Sequence, residues 1–136
     1  MTPDELAAIH ASSFITPRPW FSAEIADILA APTTHLFTAP HGFAITRIAG
    51  PEAELLTIAV DPAHRRLRIG KTLMDTLITH AKSAGVEEMF LEVAANNEAA
   101  QKLYQFCGFT QRATRKDYYT EPNGQKISAI VMAMQL

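Results

Sequence analysis

Cysteine occurs once in the 136 residues, at Cys107, so no internal disulfide can form. That fits a reducing compartment. No apolar run approaches the ~20 residues needed to span a bilayer, so no membrane segment is expected. Neither sign of charge dominates, with 12 Lys and Arg against 14 Asp and Glu. The formal net charge is −2 and charged residues make up 19% of the chain, which does not suggest a direct nucleic-acid partner. The opening Met1–Leu6 is acidic and lacks the basic and apolar regions of a secretion signal; a cytoplasmic location is the expectation. Five histidines stand apart at positions 10, 35, 41, 64 and 80. None pairs with Cys107 at a metal-ligand spacing, and no metal is expected. A serine-nucleophile elbow is absent, as are repeats, low-complexity tracts and linkers. The length suits one core, and a single domain over residues 1–136 is expected, as a monomer or weak dimer.

What is present centres on residues 56–70. The β-prone run Leu56-Thr57-Ile58-Ala59-Val60 stops at Asp61-Pro62. A loop bearing Arg65, Arg66 and Arg68 follows, then a helix opens near Gly70. From Arg65 to Lys71 there are four cationic side chains and no acid. A helix N-terminus leaves backbone N–H groups without intrahelical partners, and its dipole adds positive potential. A strand, a cationic loop and a helix N-terminus in that order can hold a phosphate. A solvated basic face is the plainer alternative. Against a slightly acidic chain, the loop favours a local anionic ligand over a long polyanion.

Periodicity supplies the rest of the fold. Residues 3–12 and 22–31 read as helices, the second with Ser22 as a candidate N-cap, separated by the breaking sequence Pro17-Arg18-Pro19-Trp20. His35–Ala39, Gly42–Ile48 and Glu54–Val60 read as an antiparallel meander. After Gly70, Ile69, Leu73, Leu77 and Ala81 recur every four residues beside Met74 and Ile78, an apolar helical stripe with Gly85 at its C-terminal end. Residues 89–93 are β-prone. Asn97 can cap a second helix carrying Ala100, Leu103, Tyr104 and Cys107, which Gly108 ends. Residues 110–119 and 126–134 form a hairpin around Pro122-Asn123-Gly124. The expected fold is α/β (α+β): a mixed, mostly antiparallel sheet with helices on both faces. Its one parallel pair joins the strands on either side of the helix after Gly70.

These segments resemble the Gcn5-related N-acetyltransferase (GNAT) family, and residues 54–136 are similar to its ribosomal-protein alanine N-acetyltransferase (RimI-type) branch. The likeness is carried by Ile58-Ala59-Val60-Asp61-Pro62, the loop Arg65 to Lys71, and Leu91-Glu92-Val93. It continues through Asn96-Asn97-Glu98-Ala99-Ala100, Leu103-Tyr104, Gly108-Phe109 and Arg115-Lys116-Asp117-Tyr118-Tyr119. The resemblance implies acetyl-coenzyme A as co-substrate. It implies that Arg65, Arg66, Leu67, Arg68, Ile69, Gly70 and Lys71 hold its pyrophosphate, that Ile58, Ala59 and Val60 run beside its pantetheine arm, and that Asn97 contacts it further on. It implies Glu92 as general base and Tyr104 as general acid. The implied acceptor is a protein N-terminal α-amine, with a ribosomal protein leading. One departure is plain: Arg68 stands where the family loop has its first glycine, and a non-glycine backbone conformation is expected there, with the guanidinium compensating. A second lies in the last strand, where Lys126, Ile127 and Ser128 replace acids frequent in the branch.

The chemistry is consistent with an α-amine. Its pKa of ~7.7–8.0, against ~10.4 for lysine, leaves an appreciable neutral fraction near pH 7 that a carboxylate base acting through water can serve. Glu92, between Leu91 and Val93, is expected to be partly buried. By periodicity alone Tyr104 reads as a packing residue, and Trp20, Tyr118 and Tyr119 divide evenly between a substrate groove and packing. Cys107 reads as a small buried residue. Alternatives are the same transfer to a metabolite or lysine amine, and an acyl-coenzyme A-binding module without turnover. An open α/β nucleotide-binding regulator conflicts with the antiparallel strands.

Overall fold

The computed structural model describes residues 1–13 and 18–136, without the side chains of residues 65–67. The expected break at Pro17 lies outside the described residues. Helices α1 (Pro3–Ser13) and α2 (Ser22–Ala30) open the chain. Ser22 is the first helical residue of α2, not its cap. Phe21 holds the cap position with extended backbone. Its N–H donates to Glu24 at 2.9 Å, and the Glu24 carboxylate also pairs with Arg18 at 2.9 Å. An acid in the first turn thus satisfies a donor that a serine cap would leave open.

Strands β1 (Thr34–Ala39), β2 (Gly42–Ala49) and β3 (Glu52–Val60) make the antiparallel meander. The stretch expected as open loop is a 3₁₀ turn, Pro62–Leu67, capped by the Asp61 carboxylate, which accepts the Ala63 N–H at 3.0 Å. Then come α3 (Ile69–Ser83), β4 (Glu88–Ala94), α4 (Glu98–Cys107), β5 (Thr110–Thr120) and β6 (Lys126–Gln135). The six strands order as β1-β2-β3-β4-β6-β5. β3 and β4 are parallel and the other neighbours antiparallel, as expected.

Both site helices end as their glycines dictate. Gly85 (φ +83°) and Gly108 (φ +109°) take the left-handed region. There the Val86 N–H donates to Ala81 O and the Phe109 N–H to Tyr104 O, each at 3.0 Å. This closes the last turn with a 6→1 bond that leaves few carbonyls unpaired. The second closure also sets the Phe109 ring edge-on to Tyr104, centroids 6.0 Å apart.

One core lies between the sheet and α3/α4, where the expected stripe buries Leu73, Met74, Leu77 and Ala81. A smaller one, with Leu6, Ile25, Phe43, Ile45 and Ala59, lies under α1 and α2 on the other face. β3 serves both. Its odd-numbered residues are all buried from Ala53 to Ala59, yet Ala53 and Leu55 face the α3/α4 core while Ala59 faces the α1/α2 core. A bulge reconciles these facts. Leu55 pairs with Thr46 and Thr57 with Ile45, so Leu56 has no counterpart on β2. The extra residue flips the alternation and bends β3. Parallel pairing with β4 ends at the same place, at Leu55↔Leu91. Beyond it, β3 pairs only with β2 and β4 only with β6 among the described strands. The two middle strands splay, and the site lies in the gap.

Candidate active site

The gap opens into a cleft of about 880 Å³. One wall is β3 from Glu54 to Val60, the other β4 from Leu91 to Ala94, with the N-termini of α3 and α4 at one end. Trp20 and the β5 aromatics Tyr118 and Tyr119 also line the cleft. Of the residues singled out in the sequence, Ile58, Ala59, Val60, Arg68, Gly70, Lys71, Glu92, Asn97 and Tyr104 all line it. Ile69 does not line the cleft. Its side chain is buried, so only its backbone can serve a ligand. The side chains of Arg65, Arg66 and Leu67 lie outside the described residues.

At the α3 end, the first intrahelical bond runs from the Thr72 N–H to Arg68 O at 3.0 Å. The N–H groups of Ile69, Gly70 and Lys71 precede it and are free of the helix ladder. Arg68 corrects the expectation made for it: its backbone sits at φ +58°, ψ +23°, the left-handed region. The arginine adopts the glycine conformation, at a cost of about 1–2 kcal/mol of steric strain. Gly70 allows α4 to pack closely, since a Cβ there would stand 3.2 Å from Leu103 Cδ2. Lys71 is partly neutralised by Asp75 one turn on, at 2.6 Å, which reading only as far as Lys71 misses. Asn97 caps α4 by accepting the Ala100 N–H at 3.2 Å and faces the cleft as well.

At the other end the charges are mixed. Glu92 is partly buried, its side chain 25% exposed, and its Oε1 pairs with Arg115 Nε at 3.1 Å. Glu92 Oε2 has no partner among the described residues. Glu54 is a second carboxylate in the cleft that the sequence reading overlooks as a cleft residue. It pairs in register with Phe90, two residues before Glu92, so both acids project on one face. No hydrogen bond or ion pair engages it among the described residues. Burial pushes its carboxyl above the usual range, and the Glu92 charge adds to this against the pull of Arg47 and Arg115. An acid immediately before the apolar run of β3 was the available signal. Arg115 could not be placed this way, because two irregularities in β5–β6 pairing set its register.

Tyr104 is 7% exposed, and burial first, then Cys107 and Tyr119, push its phenol well above the ordinary range. It therefore stays protonated at working pH. Tyr119 is pushed up to about 12, mainly by burial and by the Glu92 charge. Tyr118 remains half exposed, beneath the Arg115 guanidinium. Trp20 is fixed to α1: its backbone N–H donates to His10 Nδ1 at 3.1 Å, and its ring stacks on the imidazole with centroids 4.9 Å apart. The other nitrogen of His10 lies 3.0 Å from Thr57 Oγ1 on β3. Since Nδ1 accepts, Nε2 carries the proton and donates to Thr57. Cys107 is absent from the cleft lining, and burial raises its thiol; it is not placed to act as a nucleophile. The cleft can thus hold an anion at one end and a protonatable group at the other, with a neutral phenol between its walls.

A family model described as Acetyltransferase (GNAT) family matches residues 9–109. The ribosomal protein bS18-alanine N-acetyltransferase of Haemophilus ducreyi is 40% identical over 94 residues, 69% of this chain and 65% of that protein. This chain accordingly spans a little under two thirds of that relative's length. The N-alpha-acetyltransferase RimI of Mycobacterium tuberculosis is 34% identical over 122 residues, 83% of this chain and 75% of that one. Among solved structures, the ribosomal-protein-S18-alanine N-acetyltransferase from Escherichia coli superposes with a TM-score of 0.87 at 32% identity, covering 98% of this chain and 86% of that chain.

Proposed function

This chain belongs to the acetyltransferase (GNAT) family, and from that premise we propose that it moves an acetyl group from acetyl-coenzyme A to a protein N-terminal α-amine. The acceptor named for its relatives, an alanine terminus of ribosomal protein bS18, is the leading one. On this reading residues 1–136 act as one domain, in the cytoplasm where ribosomes are. No helix among the described residues is long and apolar enough to cross a membrane.

The observation that carries the reading is the splay of β3 from β4, with Glu92 and Tyr104 opening onto one cleft that ends at the N-terminus of α3. The N–H groups at the start of α3, with Arg68 and Lys71, would hold the pyrophosphate. Residues 56–59 of β3, which make no pairing with β4, would offer peptide N–H groups to the acyl oxygen of a bound thioester. The amine attacks the carbonyl carbon from the face carrying Glu54 and Glu92. Glu92, acting through water, first takes a proton from the α-ammonium, so that the neutral amine attacks, and the second N–H proton lost on amide formation goes to the departing sulfur. As the C–S bond breaks, the thiolate receives a hydrogen bond from Tyr104. The raised phenol suits this role better than full proton donation, since it is a weaker acid than a thiol, ~8.5 by reference. Transfer is direct, with no acyl-cysteine step.

Mass spectrometry of an N-terminal alanine peptide incubated with acetyl-coenzyme A should show one added acetyl at the terminus and none on lysine. Acetylation confined to lysine or to small amines would overturn the acceptor assignment.

A further inference from the structure

Outside the cleft, three chemically matched side chains come together from two segments. His41 sits in the β1–β2 turn, exposed, at φ +66°. Asp61 and His64 flank the start of the 3₁₀ turn. The backbone already joins the two segments: the Asp61 N–H donates to His41 O, and the His64 N–H to Asp61 O, both at 2.8 Å. The His41 and His64 rings stack at 3.6 Å, only 4° from parallel. One ligating atom from each of the three residues lies within 4.8 Å of the others.

We propose that His41, Asp61 and His64 bind a divalent transition-metal ion of the zinc type, tying the β1–β2 turn to the segment that leads into α3. His64 Nδ1 is buried, has no hydrogen-bond partner, and faces Asp61 Oδ2 at 3.8 Å. That gap is too long for a hydrogen bond. It lies near the ~3.3 Å that separates two donors on a tetrahedral zinc with bonds of ~2.0–2.1 Å. The other Asp61 oxygen is already engaged by the Ala63 N–H, which fixes the carboxylate as second contacts do in metal sites. Two stacked imidazoles cannot both aim lone pairs at one ion, so His41 completes the set by swinging its exposed ring. Histidine tolerates the left-handed backbone it holds there better than most residues. Two imidazoles and a carboxylate suit zinc, cobalt or nickel and are a poor set for magnesium or calcium. A fourth position is left to water. The spacing of these histidines from Cys107 gives no hint of this site, because the third ligand arrives across a sheet hairpin.

The test uses protein without a histidine tag, titrated with Zn²⁺ by calorimetry and with Co²⁺ by visible absorption. The site predicts one ion per chain, a visible cobalt band of a low-coordinate site, and a rise in melting temperature with Zn²⁺. His41→Ala and His64→Gln should each weaken binding at least tenfold. His80→Ala, which alters the separate His35–His80 pair, should leave it unchanged. His41→Ala removes an exposed turn side chain, so it reports even if the His64 variant folds poorly. Absence of saturable binding below millimolar metal would overturn the proposal. So would binding that survives His41→Ala and disappears in His80→Ala.

Discussion

Where α3 begins, the cleft is built from consecutive residues and from backbone. At its far end it is built from side chains on four separate strands and helices. The first end depends on N–H groups that any helix start supplies, so its sequence tolerance is wide; Arg68 holds a left-handed backbone there at φ +58°. The second depends on Glu54, Glu92 and Arg115 meeting across β3, β4 and β5, where each partner is fixed by strand register. On the proposed function, anion binding would be a local property of the chain and amine activation a tertiary one. Substitutions should therefore separate the two. Changes at the far end should alter turnover or acceptor use while sparing acetyl-coenzyme A affinity.

The largest effect is expected at Tyr104. Tyr104→Phe keeps the packing on Phe109 but removes the donor to the departing thiolate. Its kcat should fall by roughly 10²-fold, with acetyl-coenzyme A binding unchanged by calorimetry. A matching loss of cofactor affinity would erase the division between the ends. Glu54→Gln comes next. It keeps the shape but removes the second negative charge on the acceptor face, so KM for the peptide should rise about tenfold and kcat should change less. An effect on acetyl-coenzyme A alone would place Glu54 at the wrong end.

His10 tests how the far end is supported. Burial holds its pKa down to about 4, only partly offset by Glu24. The unfolded chain binds a proton there below about 6.5 and the folded chain does not. Stability should therefore be full above pH 6.5 and fall as pH drops toward 4. The loss can reach about 3 kcal/mol, at 1.36 kcal/mol per unit of pKa difference. Urea melts of wild type and His10→Gln across pH 4–8 check this: the variant should lose that part of the slope. The smallest effect is at Arg68. Arg68→Gly relieves left-handed strain but adds freedom to the unfolded chain, so stability should rise by no more than ~1 kcal/mol. Cofactor affinity should change less than tenfold. A larger loss would make the guanidinium a main phosphate ligand.

Legibility in the sequence follows the same division. The α3 stripe, the Asn97 cap and the Gly85 and Gly108 stops were readable because each is set within one or two helical turns. So was the parallel pair, since a strand–helix–strand unit sharing one sheet allows little else. The bulge at Leu56 was not readable. Residues 54–60 alternate in burial as an unbroken strand would, and only pairing with β2 shows the switch of faces. The His10–Thr57 bond and the Glu92–Arg115 pair were hidden for the same reason, each joining elements far apart in sequence. Ser22 was misread because the cap falls one residue earlier, at Phe21, whose own N–H is satisfied by Glu24.

On the proposed function Glu92 accepts the amine proton. The most direct test is the pH–rate profile of Glu92→Gln with an N-terminal alanine peptide, from pH 6 to 9 at saturating acetyl-coenzyme A. The expected deficit is largest at low pH, where the α-amine is mostly protonated, and shrinks as pH passes the amine pKa of ~7.7–8.0. A profile superimposable on wild type across the whole range would contradict it.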